Sequence, residues 1–444
     1  MWATYALLAA NVALFLLQQH LNVLAVFTMT GPPHAVAVPN EIVSPADMLR
    51  LPYPTVAHDL HPSEKIHIGL LACAVAQAFV LWGLWRTLPG TLALAGVRIA
   101  LAVAVGIMFG AALFVPALSS MDTYAYAGYA KLGMANAYAP PARVFHGTFG
   151  AIEHLWGRPI VACVYGPLWV FFNQFIAGSA RTLGQAVFVE RLIGIAGYGT
   201  LLLALRILNV SPATSAIVAI NPMLVNQFVA NGHNDIIGVT FVLFALAAVA
   251  ELPLLAAVLV ACGSLVKITM LALGLVVFAG RGRLARRTGY VALAVVLTLG
   301  ASVEFGGPAY MHTLLHQGLS VNHATQLTSS IVMTRVLAAC AVAILALGFL
   351  RGDVLRAGPW PLCALTGLIY PWYLIWGLPY AIRAKAAAAH YLILLPIVAA
   401  ALQTDFIDQH AHQYVLAAII ALLTASAFLA FVPHGKRLLS AQRT

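Results

Sequence analysis

The stretch richest in chemical potential is Ser119-Ser-Met-Asp122-Thr-Tyr124-Ala-Tyr126-Ala-Gly-Tyr129, which continues to Asn136-Ala-Tyr138-Ala-Pro-Pro141. On a helix, positions i, i+4 and i+7 share a face. Asp122, Tyr126 and Tyr129 would then set one carboxylate beside an aromatic platform. That pairing suits deprotonation of a hydroxyl next to a sugar ring. The plainer alternative is an aspartate at a helix N-cap followed by interfacial tyrosines.

Three further places carry chemistry-bearing side chains. Gly232-His233-Asn234-Asp235 reads as the tip of a tight helical hairpin. Its His-x-Asp spacing fits a metal pair, a phosphate contact or an ordinary turn, and two ligands fall short of a metal site. Lys267, in Gly263-Ser-Leu-Val-Lys-Ile-Thr269, interrupts an apolar run far from either flanking basic loop. Snorkelling is therefore disfavoured, and an anionic ligand is expected to supply its counter-charge. Pro371-Trp372-Tyr373, with Trp376 and Tyr380 behind it, is either an aromatic belt or a stacking surface for a sugar or an isoprenoid. His312, His316 and His323, and the run Asp405-Phe-Ile-Asp408-Gln-His410-Ala-His412, read as solvated turns. The five cysteines show no paired spacing, so neither a disulfide nor a metal cluster is expected. Walker, GxGxxG, HExxH and GxSxG patterns are absent from the sequence.

The elements that must position these residues follow from composition. Of 444 residues, 62% are hydrophobic and only 8% charged, against about 45–50% and about 25% in soluble domains. A soluble globule, a disordered chain and a fibrous protein are excluded. The long apolar runs do not alternate, which excludes a transmembrane β-barrel. The expectation is an all-α polytopic membrane protein with about 12–14 membrane segments, both termini inside, folded as one domain over 1–444. Net charge is +10, but the basic residues occupy short connections: Arg86, Arg206, Arg281 to Arg287, Arg351 and Arg356, Arg383 and Lys385, Lys436 and Arg437. That is a positive-inside pattern rather than a nucleic-acid surface. It turns segments 31–65 and 118–160 outward, together with the Asn231–Asp235 turn. Tyr165-Gly-Pro-Leu-Trp169 through Phe175 is too short to span and reads as an interfacial helix at the outer surface. Residues 213–230 read as one span and 307–330 as a loop. Residues 254–279 read as two half-helices broken at Lys267.

In chain order, Asp122-Thr-Tyr-Ala-Tyr126, Asn136-Ala-Tyr138, Tyr165-Gly-Pro-Leu-Trp169, Asn221-Pro, Gly232-His-Asn-Asp235, Leu265-Val-Lys267 and Pro371-Trp-Tyr373 resemble the polyprenol-phosphate-mannose-dependent α-1,6-mannosyltransferases. These belong to the GT-C class of integral-membrane glycosyltransferases. The resemblance implies a GT-C-like fold, with an outward loop over 118–185 that carries a catalytic aspartate and a juxtamembrane helix. It further implies an inverting transfer of mannose from a polyprenyl-phosphate donor to a glycan or glycolipid acceptor, in the plasma membrane, with the active site on its extracytoplasmic side. Asp122 would be the general base. Lys267, His233 and Arg191 would meet the donor phosphate. Tyr126, Tyr129, Tyr138, Trp169, Asn234, Asp235, Trp372 and Tyr373 would line the sugar or acceptor. No cofactor or metal is assigned, a divalent cation at Asp122 or Asp235 stays open, and no nucleic acid partner is expected. The competing class is a secondary transporter or lipid flippase. The chain lacks the two related halves typical of transporters, and its polar residues gather on one face.

Overall fold

The computed structural model describes residues 1–29, 63–114, 120, 122–142, 144–156, 160–280, 283–316, 331–352, 354–367, 369–384, 386–405 and 412–431. Of the expected loop over 31–65, residues 31–62 lie outside them, as do His323 and the run Phe406–Ala411, while 63–65 are helical.

Every regular element among the described residues is helical. Helices α1 (Trp2–Met29), α2 (Ser63–Thr91) and α3 (Ala95–Phe114) form a first packed group. The segment after them supplies α4 (Asp122–Asn136), α5 (Gly150–Trp156) and α6 (Pro167–Ile176). Then come α7 (Leu183–Ile207), α8 (Pro212–Ala219), α9 (Pro222–Val225) with a π turn over Asn226–Ala230, α10 (Asp235–Ala248), α11 (Pro253–Ser264) and α12 (Met270–Val277). The remainder is α13 (Leu284–Ala301), α14 (Gly307–His316), α15 (Ile331–Leu350), α16 (Trp360–Cys363), a 3₁₀ segment Pro371–Gly377, α17 (Leu378–Arg383), α18 (Ala386–Asp405) and α19 (His412–Phe431).

Among the described residues, six helical stretches are long and apolar enough to cross a membrane, from Trp2–Asn22 to Met333–Leu350. The chain is a multi-pass, all-α membrane protein. The count differs from the 12–14 segments expected because several apolar helices are short. Asp235–Ala248, Pro253–Ser264, Ala388–Leu402 and Ala417–Ala427 have only 10–17 residues, below the ~20 of a straight crossing.

Residues 213–230 are not one straight span but a pair bent by 48°. Pro222 lacks an N–H and holds Asn221 in an extended conformation. Asn221 in turn caps the next helix by accepting from the Leu224 amide and donates to the Leu392 carbonyl. The expected 307–330 loop is helical as far as His316, so His312 sits on α14 and is exposed.

The half-helices around Lys267 form as expected. Helix α10 leads away from Asp235, α11 returns to the Lys267 break, and α12 leads away again. At the far end of α12, Arg383 donates to the carbonyls of Val276, Val277 and Ala279, and Arg287 lies 5.1 Å from the Phe349 ring. The basic connections near 287, 352 and 383 therefore gather at the end of the bundle away from Lys267.

Candidate active site

Asp122 opens α4, with its amide donating to Ser120 Oγ at 3.2 Å. The neighbouring Thr123 hydroxyl donates to the Asn231 carbonyl, which fastens the start of α4 to the 231–235 turn. Gly232 adopts φ 61° in that turn, a left-handed conformation that favours glycine, and packs beside Thr123 Oγ1 and the Glu190 carbonyl. This close approach sets His233 Nδ1 3.5 Å from Asp122 Oδ2. The Asp122 side chain remains 17% exposed while that of His233 is fully buried, and neither imidazole nitrogen has a hydrogen-bond partner among the described residues.

The spacing argument for α4 holds in part. Tyr126 is buried on the face toward the turn, and its hydroxyl lies 3.4 Å from Asn234 Oδ1. Its ring meets Tyr165 edge-on at 4.8 Å and Trp169 at 5.6 Å. Burial, then Asp122 and Asp235, push the Tyr126 phenol up, so it stays protonated and acts as a donor rather than a base. Tyr129 and Tyr138, expected at the sugar, spend their hydroxyls on backbone instead. Tyr129 donates to the Val161 carbonyl at 2.9 Å, and Tyr138 to the Tyr165 carbonyl at 3.1 Å.

Helix α6 forms over the segment expected to be the juxtamembrane helix. Pro167 stands in its first turn, where a missing N–H costs nothing. Phe171, Phe172, Phe175 and Ile176 are exposed along it, the apolar face of a helix lying at a membrane boundary. Its opposite face carries Trp169 and Asn173, both buried. Asn173 donates to Glu190 Oε1 on α7 at 2.6 Å and reaches the Tyr126 carbonyl at 3.4 Å. Glu190 is a fully buried carboxyl that the spacing arguments passed over, because it stands inside an apolar span beside Arg191 with no motif around it.

Lys267 corrects an expectation. Its ammonium is not short of a counter-charge, since Nζ lies 2.8 and 3.1 Å from the two carboxylate oxygens of Asp235. Trp376 Nε1 donates to Asp235 Oδ1 at 2.7 Å. Asp235 is fully buried and engaged by both groups. Arg191 is likewise built into the scaffold: buried in α7, it donates to the Ala230 carbonyl at 2.8 Å and the Leu113 carbonyl at 2.9 Å.

Trp372 stacks on His233 at 4.2 Å and on Tyr370 at 4.7 Å. Tyr373 stacks on Trp376 at 4.0 Å and faces the Lys267 ammonium at 4.6 Å. Among the described residues, no three of His, Cys, Asp and Glu come together as metal ligands.

The family described as alpha-(1->6)-mannopyranosyltransferase, N-terminal domain, matches residues 54–281, half of the chain. The chain belongs to this mannosyltransferase family, which is of the GT-C type. No curated protein and no solved structure matches it. This mannosyltransferase is thus a membrane glycosyltransferase acting with a sugar donor, a glycan acceptor and lipids. The matched segment holds Asp122, Trp169, His233, Asn234, Asp235 and Lys267. The aromatic wall of Trp372, Tyr373 and Trp376 comes from beyond it, so the site is assembled from both parts of the chain.

Proposed function

We propose that this mannosyltransferase transfers mannose from a polyprenyl-phosphate donor to a glycan or glycolipid acceptor with inversion, on the extracytoplasmic face of the plasma membrane. The observation that carries the reading is the part-exposed carboxylate of Asp122 facing the buried His233 across 3.5 Å. Asp122 takes the proton from the acceptor hydroxyl, whose oxygen attacks the anomeric carbon. The bond from that carbon to the phosphate oxygen breaks, and polyprenyl phosphate leaves with the electron pair.

With Nδ1 turned to Asp122, His233 Nε2 is the nitrogen left to donate to a phosphate oxygen and stabilise the departing charge. The sugar lies against Tyr126 and Trp169. Trp169 Nε1 and Asn234 Nδ2 are buried without hydrogen-bond partners among the described residues, and buried polar groups are normally satisfied. Sugar hydroxyls supply what they lack. A lipid-linked donor accords with the sequence's lack of nucleotide-binding motifs. The basic connections gathered at the opposite end of the bundle support the outward orientation through the positive-inside pattern.

The test is the anomeric configuration of the product, read by NMR after transfer by purified protein from a donor of known anomeric configuration. Inversion is expected. Retention would overturn the single displacement and Asp122's part in it.

A further inference from the structure

We propose that Lys267 and Asp235 act as one neutral positioning unit, which holds His233, Asn234 and Tyr165 around the sugar and does not itself bind the donor phosphate. The inference rests on the reading of a polyprenyl-phosphate donor and narrows which side chains meet it.

The Asp235 side chain of the pair is fully buried and that of Lys267 only 10% exposed. Both carboxylate oxygens of Asp235 lie within 3.1 Å of Nζ, and Trp376 Nε1 occupies Oδ1 as well. The ammonium also lies near three rings, Tyr373 at 4.6 Å, Trp376 at 5.3 Å and Tyr165 at 5.8 Å, each attractive to a cation. A lysine so surrounded has its charge already compensated. A phosphate would have to break this arrangement and leave Asp235 as an uncompensated buried carboxylate.

Each partner is joined directly to site residues. Asp235 follows His233 and Asn234 in sequence, so fixing its carboxylate fixes the turn that faces Asp122 and Tyr126. Lys267 follows Leu265 and Val266, whose carbonyls accept from the amides of Leu168 and Gly166 at 3.1 and 3.0 Å. Those bonds hold Tyr165, one residue earlier, where its ring meets Tyr126. Two glycines bring the elements close enough to pair. Gly238 lies three residues beyond Asp235 and Gly263 four before Lys267, and a Cβ on Gly263 would meet the Gly238 carbonyl oxygen at 2.9 Å. The unit thus ties the 231–235 turn, the entry to α6 and the Pro371–Gly377 segment into one frame.

The experiment compares wild type, Lys267→Met, Asp235→Asn and the double variant, in purified protein. One readout is binding of sugar-free polyprenyl phosphate, and the other is amide hydrogen exchange over 164–168 and 231–236 without ligand. Each single change leaves one buried charge unpaired. Both singles should therefore bind polyprenyl phosphate about ten- to a hundredfold more weakly, the range of coupling between contacting residues, and exchange in both segments should rise. The double variant removes both charges, so its binding should return to within about threefold of wild type.

Binding in the double variant as weak as in Lys267→Met would make the lysine a phosphate ligand and overturn the proposal. So would unchanged exchange in the single variants. If wild type fails to bind polyprenyl phosphate, the donor reading fails instead, and the exchange measurement still decides the positioning role.

Discussion

His233 stands at the meeting point of two residues remote from it in sequence: Asp122 lies 3.5 Å from its Nδ1, and the Trp372 ring stacks on it at 4.2 Å. Asp122 lies 111 residues before His233 and Trp372 139 residues after it. The start of α4, the α9–α10 turn and the C-terminal aromatic segment must therefore all be in place before this arrangement exists.

Asp122→Asn should insert and fold as wild type but lose transfer by about 10²–10⁴-fold, the usual worth of a general base. An amide has no basic lone pair to take the acceptor proton. Steady-state transfer by protein with an unchanged unfolding temperature checks this, and retention of more than a few tenths of wild-type turnover would remove Asp122 from the base role.

Trp372→Phe should keep the stack on His233 and most of the transfer, whereas Trp372→Ala should lower the rate by about tenfold. Stacked ring pairs contribute about 0.5–1.5 kcal/mol beyond the area they bury, and the freed imidazole loses its fixed aim at Asp122. Equal rates for the two variants would show that the stack does not orient His233.

A Cβ on Gly166 would overlap the Leu265 carbonyl oxygen, so Gly166→Ala must push α6 away from the Lys267 break. Overpacking of this kind costs about 1–3 kcal/mol, and turnover should fall with stability because Tyr165 shifts. Gly110→Ala on α3, where a Cβ would meet nothing within 4 Å, is the control and should be neutral or slightly stabilising. Thermal unfolding of both variants decides.

The raised ionisation of Tyr126, caused first by burial and then by Asp122 and Asp235, keeps the phenol protonated through neutral and mildly alkaline pH. Tyr126→Phe should then slow transfer by a similar factor across about pH 6 to 9, below the ordinary phenol pKa. A factor that grows with pH would mean that the phenolate takes part.

In a cysteine-free background, a cysteine after Arg283 should resist an impermeant reagent applied from outside, and one at His146 should react. The opposite pattern would invert the orientation and place Asp122 on the cytoplasmic side.

The sequence made the helical class, Asp122 and Tyr126 on one helix and the short apolar α6 legible, because each rests on local periodicity or local composition. It could not disclose the Lys267–Asp235 pair, which joins residues 32 apart through a break between two half-helices. Without that contact, a lone lysine in an apolar run looks like a residue waiting for a ligand. Glu190 and Asn173 were illegible for the same reason, since their bond runs between α6 and α7. The 48° bend at Asn221-Pro222 had a signal in the proline, but apolar composition continues across it and hid the break.

The central claim is tested most directly by incubating the purified protein with a mannoside acceptor and labelled mannose carried either by polyprenyl phosphate or by a nucleotide. The account predicts transfer from the lipid-linked donor, an α-1,6-linked product, and no transfer from the nucleotide sugar. Transfer from the nucleotide sugar, or none from the polyprenyl-phosphate donor by folded protein, would contradict it.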